Sequence, residues 1–302
     1  MKHIKLLILL LAALGGPRLA NADSAGTTLF NFLSFDTNAR AVSMGGAYTA
    51  LAANSSALHY NPAGLARTKS REAAFMHNQY FQGVTQEYVT YASPKGWGVD
   101  LNYLSFGGIR ETTLSKPAGT GGEVGLSDLA LGFGYGRKLS DGLLAGGGVK
   151  IVRESIAGIS GGGFMLDGGV LWDVPGAAGL NLGLAVQNLG LNVKFQGVKE
   201  PLPMSIRAGA GYKLTVRGIK TTLALDLQQS KGEDFGLRLG FAMLLGKTIP
   251  LRFGFTTLTD AGLGLSAGTG YTYRNMVFDY AYAPFKDLGA THRLSVTYRW
   301  GK

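Results

Sequence analysis

The sequence predicts an all-β protein, a fourteen-stranded antiparallel transmembrane β-barrel with a small N-terminal helical hatch. Three observations carry this. From Arg71 to the end, large apolar residues recur at every second position, which is the period of a strand and not of a helix. The alternating segments number fourteen, and an even count of strands about ten residues long is what a closed bilayer-spanning barrel requires, because closure leaves no unpaired backbone edge in lipid. The connections alternate between compact turns and longer loops.

The first 22 residues read as a secretory signal peptide. Lys2 and Lys5 precede the apolar run Leu6 to Leu14, Gly15-Gly16-Pro17 breaks it, and Ala20-Asn21-Ala22 offers a small-x-small site, with cleavage expected after Ala22. That apolar run is too short to cross a hydrocarbon layer about 30 Å thick at about 1.5 Å per residue. The absence of cysteine means that an exported chain of this composition owes nothing to disulfides.

Residues 23–70 do not alternate and are expected to form the hatch from short helices and turns. Ala39 to Ala53 is alanine-rich, Ser55 and Ser56 suit a helix N-cap, and Pro62 forces Asn61 out of helical geometry. Residues 71–302 are expected to form the barrel.

The strands are expected near residues 71–79, 84–93, 96–107, 126–138, 142–154, 162–173, 179–188, 203–214, 219–229, 234–245, 249–257, 262–273, 275–284 and 291–300. In the seventh, Leu180, Leu182, Leu184 and Val186 alternate with Asn181, Gly183, Ala185 and Gln187. In the tenth, Phe235, Leu237, Leu239, Phe241 and Met243 oppose Gly236, Arg238, Gly240 and Ala242. Compact turns at 93–96, 140–142, 175–179 and 273–275 alternate with longer segments at 109–125 and 190–203, which places both barrel ends on the periplasmic side. Trp97, Tyr103, Trp172, Tyr212, Tyr273, Tyr282 and Trp300 lie near strand ends, where interfacial aromatics belong.

A soluble β-sandwich or solenoid would alternate too, but its outer face would be polar. Here one face is Leu, Phe, Val and Tyr, and the other Gly, Ala, Ser, Asn and Asp. Lumenal glycines such as Gly132, Gly134, Gly136, Gly146, Gly148, Gly264 and Gly268 leave space inside for water, a ligand or a plug. Asp100, Asp128, Asp167, Asp226 and Asp279 are expected to face inward against Lys150, Arg207, Arg238 and Arg252, as a network that holds the plug and, secondarily, sets selectivity.

Within the hatch, Asp36, Arg40, Met44, Gly45, Gly46 and Ala47, followed by Asn61, Pro62, Ala63 and Gly64, form a pattern. It resembles the N-terminal signature of the PorV/PorQ proteins and, more distantly, of the FadL-type long-chain fatty-acid transporters. The resemblance implies an outer-membrane barrel of a Gram-negative-type bacterium whose hatch lies in the lumen. It implies passive transport or binding of hydrophobic, fatty-acid-like molecules or, as the alternative, a PorV-like adaptor for proteins exported by type IX secretion. One departure is the C-terminus, where Trp300 is followed by Gly301-Lys302 instead of ending the chain.

Enzymatic motifs are missing. The histidines are His3, His59, His77 and His292, too scattered for metal-ligand spacing, so neither metal nor cofactor is expected. His292 and Ser295 are three apart on one strand and point to opposite faces. Glycine-rich pieces at 132–136 and 262–268 lack the helix and the Lys-Ser/Thr of a phosphate cradle. The formal charge of +10 never gathers into a run, which excludes nucleic acid as a partner. The expected partners are outer-membrane lipid, a hydrophobic small molecule in the lumen, or exported proteins at the surface.

Overall fold

A computed structural model describes residues 28–195, 197–259 and 262–301. The leader and its cleavage site lie outside the described residues. Fourteen strands close into one antiparallel barrel. In chain order they are β1 (Arg71–Gln79), β2 (Thr85–Ala92), β3 (Trp97–Ser105), β4 (Leu126–Ser140), β5 (Leu143–Ile156), β6 (Ile159–Asp173) and β7 (Leu180–Leu189). The second half comprises β8 (Ser205–Val216), β9 (Ile219–Ser230), β10 (Gly236–Leu245), β11 (Ile249–Thr256), β12 (Leu265–Tyr273), β13 (Met276–Pro284) and β14 (Ala290–Trp300). Neighbours in sequence are neighbours in space, and β1 closes on β14 with Arg71 opposite Trp300 and Gln79 opposite His292. Every strand thus has both edges paired, which satisfies its backbone without water.

The two faces separate as the period requires. Phe75, Val89, Leu131, Ile151, Leu184 and Phe253 protrude with 45, 48, 50, 63, 47 and 52% of their surface exposed, and comparable apolar residues protrude from the other strands. A folded chain has no reason to leave a continuous apolar belt in water, whereas acyl tails cover it at no cost. His292 faces outward and Ser295 inward, so the two side chains lie on opposite faces of β14.

One barrel end carries tight turns at 93–96, 141–142, 174–179, 217–218, 246–248 and 274–275. The other carries the longer segments 106–125, 190–204 and 257–264, although its connection at Ala157-Gly158 is as tight as any, so the asymmetry is incomplete. Trp97, Trp172, Tyr212, Tyr273 and Trp300 ring the short-turn end, and Tyr103 and Tyr282 sit toward the loop end. Tyr91 packs between Trp97 and Trp300 at centroid distances of 5.2 and 6.0 Å, across the seam where the barrel closes.

Residues 28–70 fill the lumen with two helical turns, α1 (Ala39–Val42) and α2 (Ala57–Tyr60), and 3-10 turns at Asn31–Ser34, Asn54–Ser56 and Pro62–Arg67. The sequence expectation of Ser55 and Ser56 as an N-cap is corrected here. Ser56 precedes α2 but bonds the Ala53 carbonyl at 3.0 Å, and Ser55 Oγ donates to Glu72 Oε1 on β1 at 2.5 Å. The side chain that does cap α1 is Asn38, whose Oδ1 accepts from Arg40 N at 2.9 Å. Gly264 is also corrected: it lies in the loop before β12 with φ of 68°, and not on the lumenal face of a strand.

Candidate functional site

The wall is built to receive backbone. The lumenal glycines do not leave open space, as their sequence positions implied, but let the hatch approach main chain to main chain. A Cβ at Gly254 would strike Gly45 N and the Met44 carbonyl carbon, one at Gly240 the Met44 carbonyl, and one at Gly136 or Gly146 the backbone of Pro62 and Ala63. Gly134 accommodates Leu58 and Leu65, and Gly268 accommodates Ser43. Gly132 and Gly148 differ: the first makes room for the Asp100 side chain and the second faces wall backbone. On the hatch side Gly45 and Gly46 adopt φ of 67° and 75°, a left-handed region that suits glycine.

Polar side chains then fix the seat. Ser266 Oγ of β12 donates to Val42 O at 2.7 Å and accepts from Gly45 N at 3.2 Å, while Ser295 Oγ of β14 accepts from Ala39 N at 3.0 Å. Asp226 on β9 accepts from the amides of Tyr48 and Thr49 at 3.0 and 2.8 Å. Asn61 Nδ2 lies 3.3 Å from Thr49 O in the hatch, and 3.0 and 3.3 Å from Val170 O and Leu184 O of the wall, while its Oδ1 accepts from Ala63 N at 3.2 Å. Glu72 receives Arg299 Nε at 2.6 Å beside Ser55, and Arg67 reaches Asp173 at 2.5 Å.

Arg238 of β10 pairs with Asp36 at 3.0 Å. Burial works to raise the Asp36 carboxyl, yet Arg238, backed by Arg207, outweighs it and brings the group down to about 2. His59 is buried in α2, and burial, with Arg207 and Lys150, pushes its imidazole well below the usual histidine range. Arg40 lies over the Tyr48 ring at 5.8 Å, and Met44, Ala47, Pro62, Ala63 and Gly64 are buried in the hatch packing.

The remaining lumenal charges form separate groups. Lys150 meets Asp167 at 2.7 Å and Asn188 at 2.9 Å, and Arg252 meets Asp279 at 2.7 Å. Asp100 accepts from the Tyr88 hydroxyl at 2.6 Å, and Asp128 stands opposite Glu154 across β4 and β5. Arg207 is 2% exposed, with its Nε and Nη1 finding no protein acceptor. Of the nine lumenal residues singled out, Asp226 and Arg238 are therefore the two that bond the hatch directly, and the others pair within the wall or stand alone. Sequence reasoning missed Asn38, Glu72, Ser266 and Ser295. Period two marks Glu72, Ser266 and Ser295 as inward, but nothing local distinguishes a lumenal serine that grips a hatch from one that faces water, and Asn38 lies in the hatch, where no period applies.

Loop 190–204 was also missed as part of the site. It folds over the mouth: Leu29 N donates to Pro201 O at 3.0 Å, and Leu202, Val193 and Phe195 pack with Phe30, Phe32, Leu104, Val152 and Met165. This fills one half of the mouth. In the other half a cavity of about 350 Å³ stays open between the hatch and the loop ends. Its apolar walls are Phe35, Phe81, Val84, Phe106, Leu258 and Phe285, and its few polar groups include Asp36, Arg238, Arg293 and Tyr80. Arg293 donates to the Tyr80 hydroxyl at 2.8 Å.

The model of an uncharacterised protein family, UPF0164, matches residues 14–165, half of the sequence. The chain belongs to UPF0164. A UPF0164 protein of Treponema pallidum (strain Nichols) is 30% identical over 178 residues, covering 52% of this chain and 43% of that protein, so the chain spans less than half the length of this relative. The UPF0164 chain is also similar in fold to solved channels. The CymD monoaromatic hydrocarbon channel superposes with a TM-score of 0.63 at 11% identity, over 91% of this chain and 100% of that one. A FadL homologue from Pseudomonas aeruginosa gives 0.58 at 14% identity over 92% and 100% of the two chains. The P. putida toluene transporter TodX gives 0.59 at 12% identity over 87% and 98%. The FadL side of the resemblance read from residues 36–64 thus has structural counterparts, while its PorV/PorQ side has no support among these relatives.

Proposed function

We propose that this UPF0164 chain is a bacterial outer-membrane channel that admits apolar small molecules through a lumen closed by its hatch, with a cleaved leader and with the short-turn end in the periplasm. The observation that carries this reading is the mouth cavity, an apolar chamber with a few convergent polar groups, at the lower end of the volumes that hold small ligands. Its floor is the hatch, so a molecule leaving inward must displace residues 34–46 from their seat. The solved channels of this fold that carry hydrocarbons or toluene in their names point to the same ligand class. The network of Asp226, Arg238 and Asn61 holds the hatch while the mouth is empty.

The test is binding of a fluorescent fatty acid and of toluene to the purified chain in nanodiscs. Saturable binding is expected, weakened at least tenfold by Phe106→Asp with heat-modifiable migration retained, since a carboxylate in an apolar wall is costly to bury. Absence of binding, or binding indifferent to Phe106→Asp, would overturn the reading. A surface-adaptor role is the second reading, favoured by the fully exposed Leu114 on loop 106–125. Recovery of a stoichiometric exported protein with no bound lipid would select it.

A further inference from the structure

The fixed charges of this barrel are sorted by height. Inside, Arg40, Lys150, Arg207, Arg238, Arg252 and Arg293 stand against Asp36, Asp100, Asp128, Asp167, Asp226 and Asp279, with Glu72 paired to Arg299 and Glu154 opposite Asp128, so the lumen carries no clear excess of positive charge. At the loop end the two signs are mixed, with Arg110 opposite Glu123 across the ribbon of loop 106–125, Lys231 beside Glu233 and Asp234 on the connection 231–235, and Lys286 next to Asp287. The short-turn end is different. Lys95, Lys138, Arg217, Lys247 and Arg274 place an exposed cation on or beside five of the six turns, and Lys69 and Arg71 add two at the seam. The exposed acids at this end are Asp141 and Asp173, and each is engaged, by Lys138 at 2.7 Å and by Arg67 at 2.5 Å. Among the described residues the excess of positive charge is therefore gathered at this rim.

That rim lies at the depth of the aromatic girdle. Lys95 is two residues from Trp97, and Arg274 follows Tyr273 with its guanidinium 5.3 Å from that ring. At about 3.3 Å per residue these cations reach only a few ångströms beyond the aromatics that mark the interface, which is where headgroup phosphates lie. No acidic segment of the described chain covers them.

We propose that the short-turn rim is a binding belt for the phosphate headgroups of anionic phospholipids, which fixes the height of the barrel in the leaflet it faces. This rests on the reading of the chain as a bilayer-spanning barrel and is independent of what the lumen carries. The three tryptophans of the chain, Trp97, Trp172 and Trp300, all lie at this rim and serve as its reporters. The full chain is inserted into phosphatidylcholine vesicles, and heat-modifiable migration is checked first, so that a failure to form the barrel is seen separately. Tryptophan quenching is then compared between shallow-brominated phosphatidylglycerol and shallow-brominated phosphatidylcholine at equal mole fraction.

A preference of about three- to fivefold for phosphatidylglycerol is expected at low salt, falling towards unity near 0.5 M NaCl as screening shortens the reach of each charge. The combined variant Lys95→Gln, Arg217→Gln, Lys247→Gln, Arg274→Gln should insert and lose the preference. The loop-end variant Lys116→Gln, Lys194→Gln, Lys199→Gln should keep it. Equal quenching by both lipids in the inserted protein would overturn the proposal and mark the rim for a soluble acidic partner, and so would a preference that survives the rim variant.

Discussion

Asp36 and Arg238, 202 residues apart in sequence, meet at 3.0 Å at the floor of the mouth cavity, one from the hatch and one from the wall. The pair is the charged contact between hatch and wall in the cavity lining, beside the neutral grip of Ser266 on Val42 and Gly45. Gly46 lies against the guanidinium so closely that a side chain there would displace it.

Breaking this pair from one side leaves a buried charge uncompensated, which costs about 3–5 kcal/mol. Arg238→Ala is therefore expected to loosen the hatch strongly, seen as protease cleavage within residues 34–46 of the membrane-inserted protein and as flickering conductance in planar bilayers. Asp36→Asn together with Arg238→Gln should be milder than Arg238→Ala, because no charge is then left alone. A double variant as leaky as the single one would count against the pair as the latch.

Acid should loosen the hatch in two steps of the same sign. His59 has its pKa lowered by burial beside Arg207 and Lys150, so a released hatch takes up a proton that the seated hatch refuses, and seating weakens as pH falls below the free histidine value of about 6.5. Asp36 has its pKa brought down to about 2 in the seated state, so its contribution is complete above the free value near 4 and is lost as pH falls towards 2. Protease sensitivity measured from pH 7.5 to 5 should rise in the parent and stay flat in His59→Gln.

Removing the Asn61 side chain should cost about 2 kcal/mol of hatch seating, since its amide serves carbonyls of β6 and β7 and its oxygen holds Ala63 N. Barrel insertion should not change, because the strands close through their own hydrogen bonds. Asn61→Ala is expected to keep heat-modifiable migration while its hatch exchanges amide hydrogens faster, and loss of the migration shift would refute the separation of hatch from barrel.

Gly254→Val tests the main-chain approach. Its branched side chain would occupy the place of Gly45 and Met44, whose backbone has no freedom to withdraw within a packed lumen. The expected outcome is an inserted barrel with an unseated hatch and a larger single-channel conductance. Gly246→Val, in an open turn, adds strain at φ of 60° without touching the hatch and should leave conductance at the parent level.

Much of this architecture was legible in the residues alone, since period two has one solution for a chain whose bulky face is apolar throughout. The fourteen strands lie within about three residues of their expected positions, and Asp100, Asp167 and Asp226 face the lumen because alternation fixes the face of every residue on a strand. Asn61 adopts the extended geometry that Pro62 demands, with φ of −165°. Partners across the lumen were not legible. That Asp226 takes the amides of Tyr48 and Thr49, that Ser295 holds Ala39, and that loop 190–204 packs onto Phe30 depend on the angular positions at which strands far apart in sequence meet around a cylinder. The glycines show the division best: the sequence put Gly136 and Gly146 on the inner face, but only closure of the barrel around residues 62–63 made that missing Cβ the place where another backbone lies.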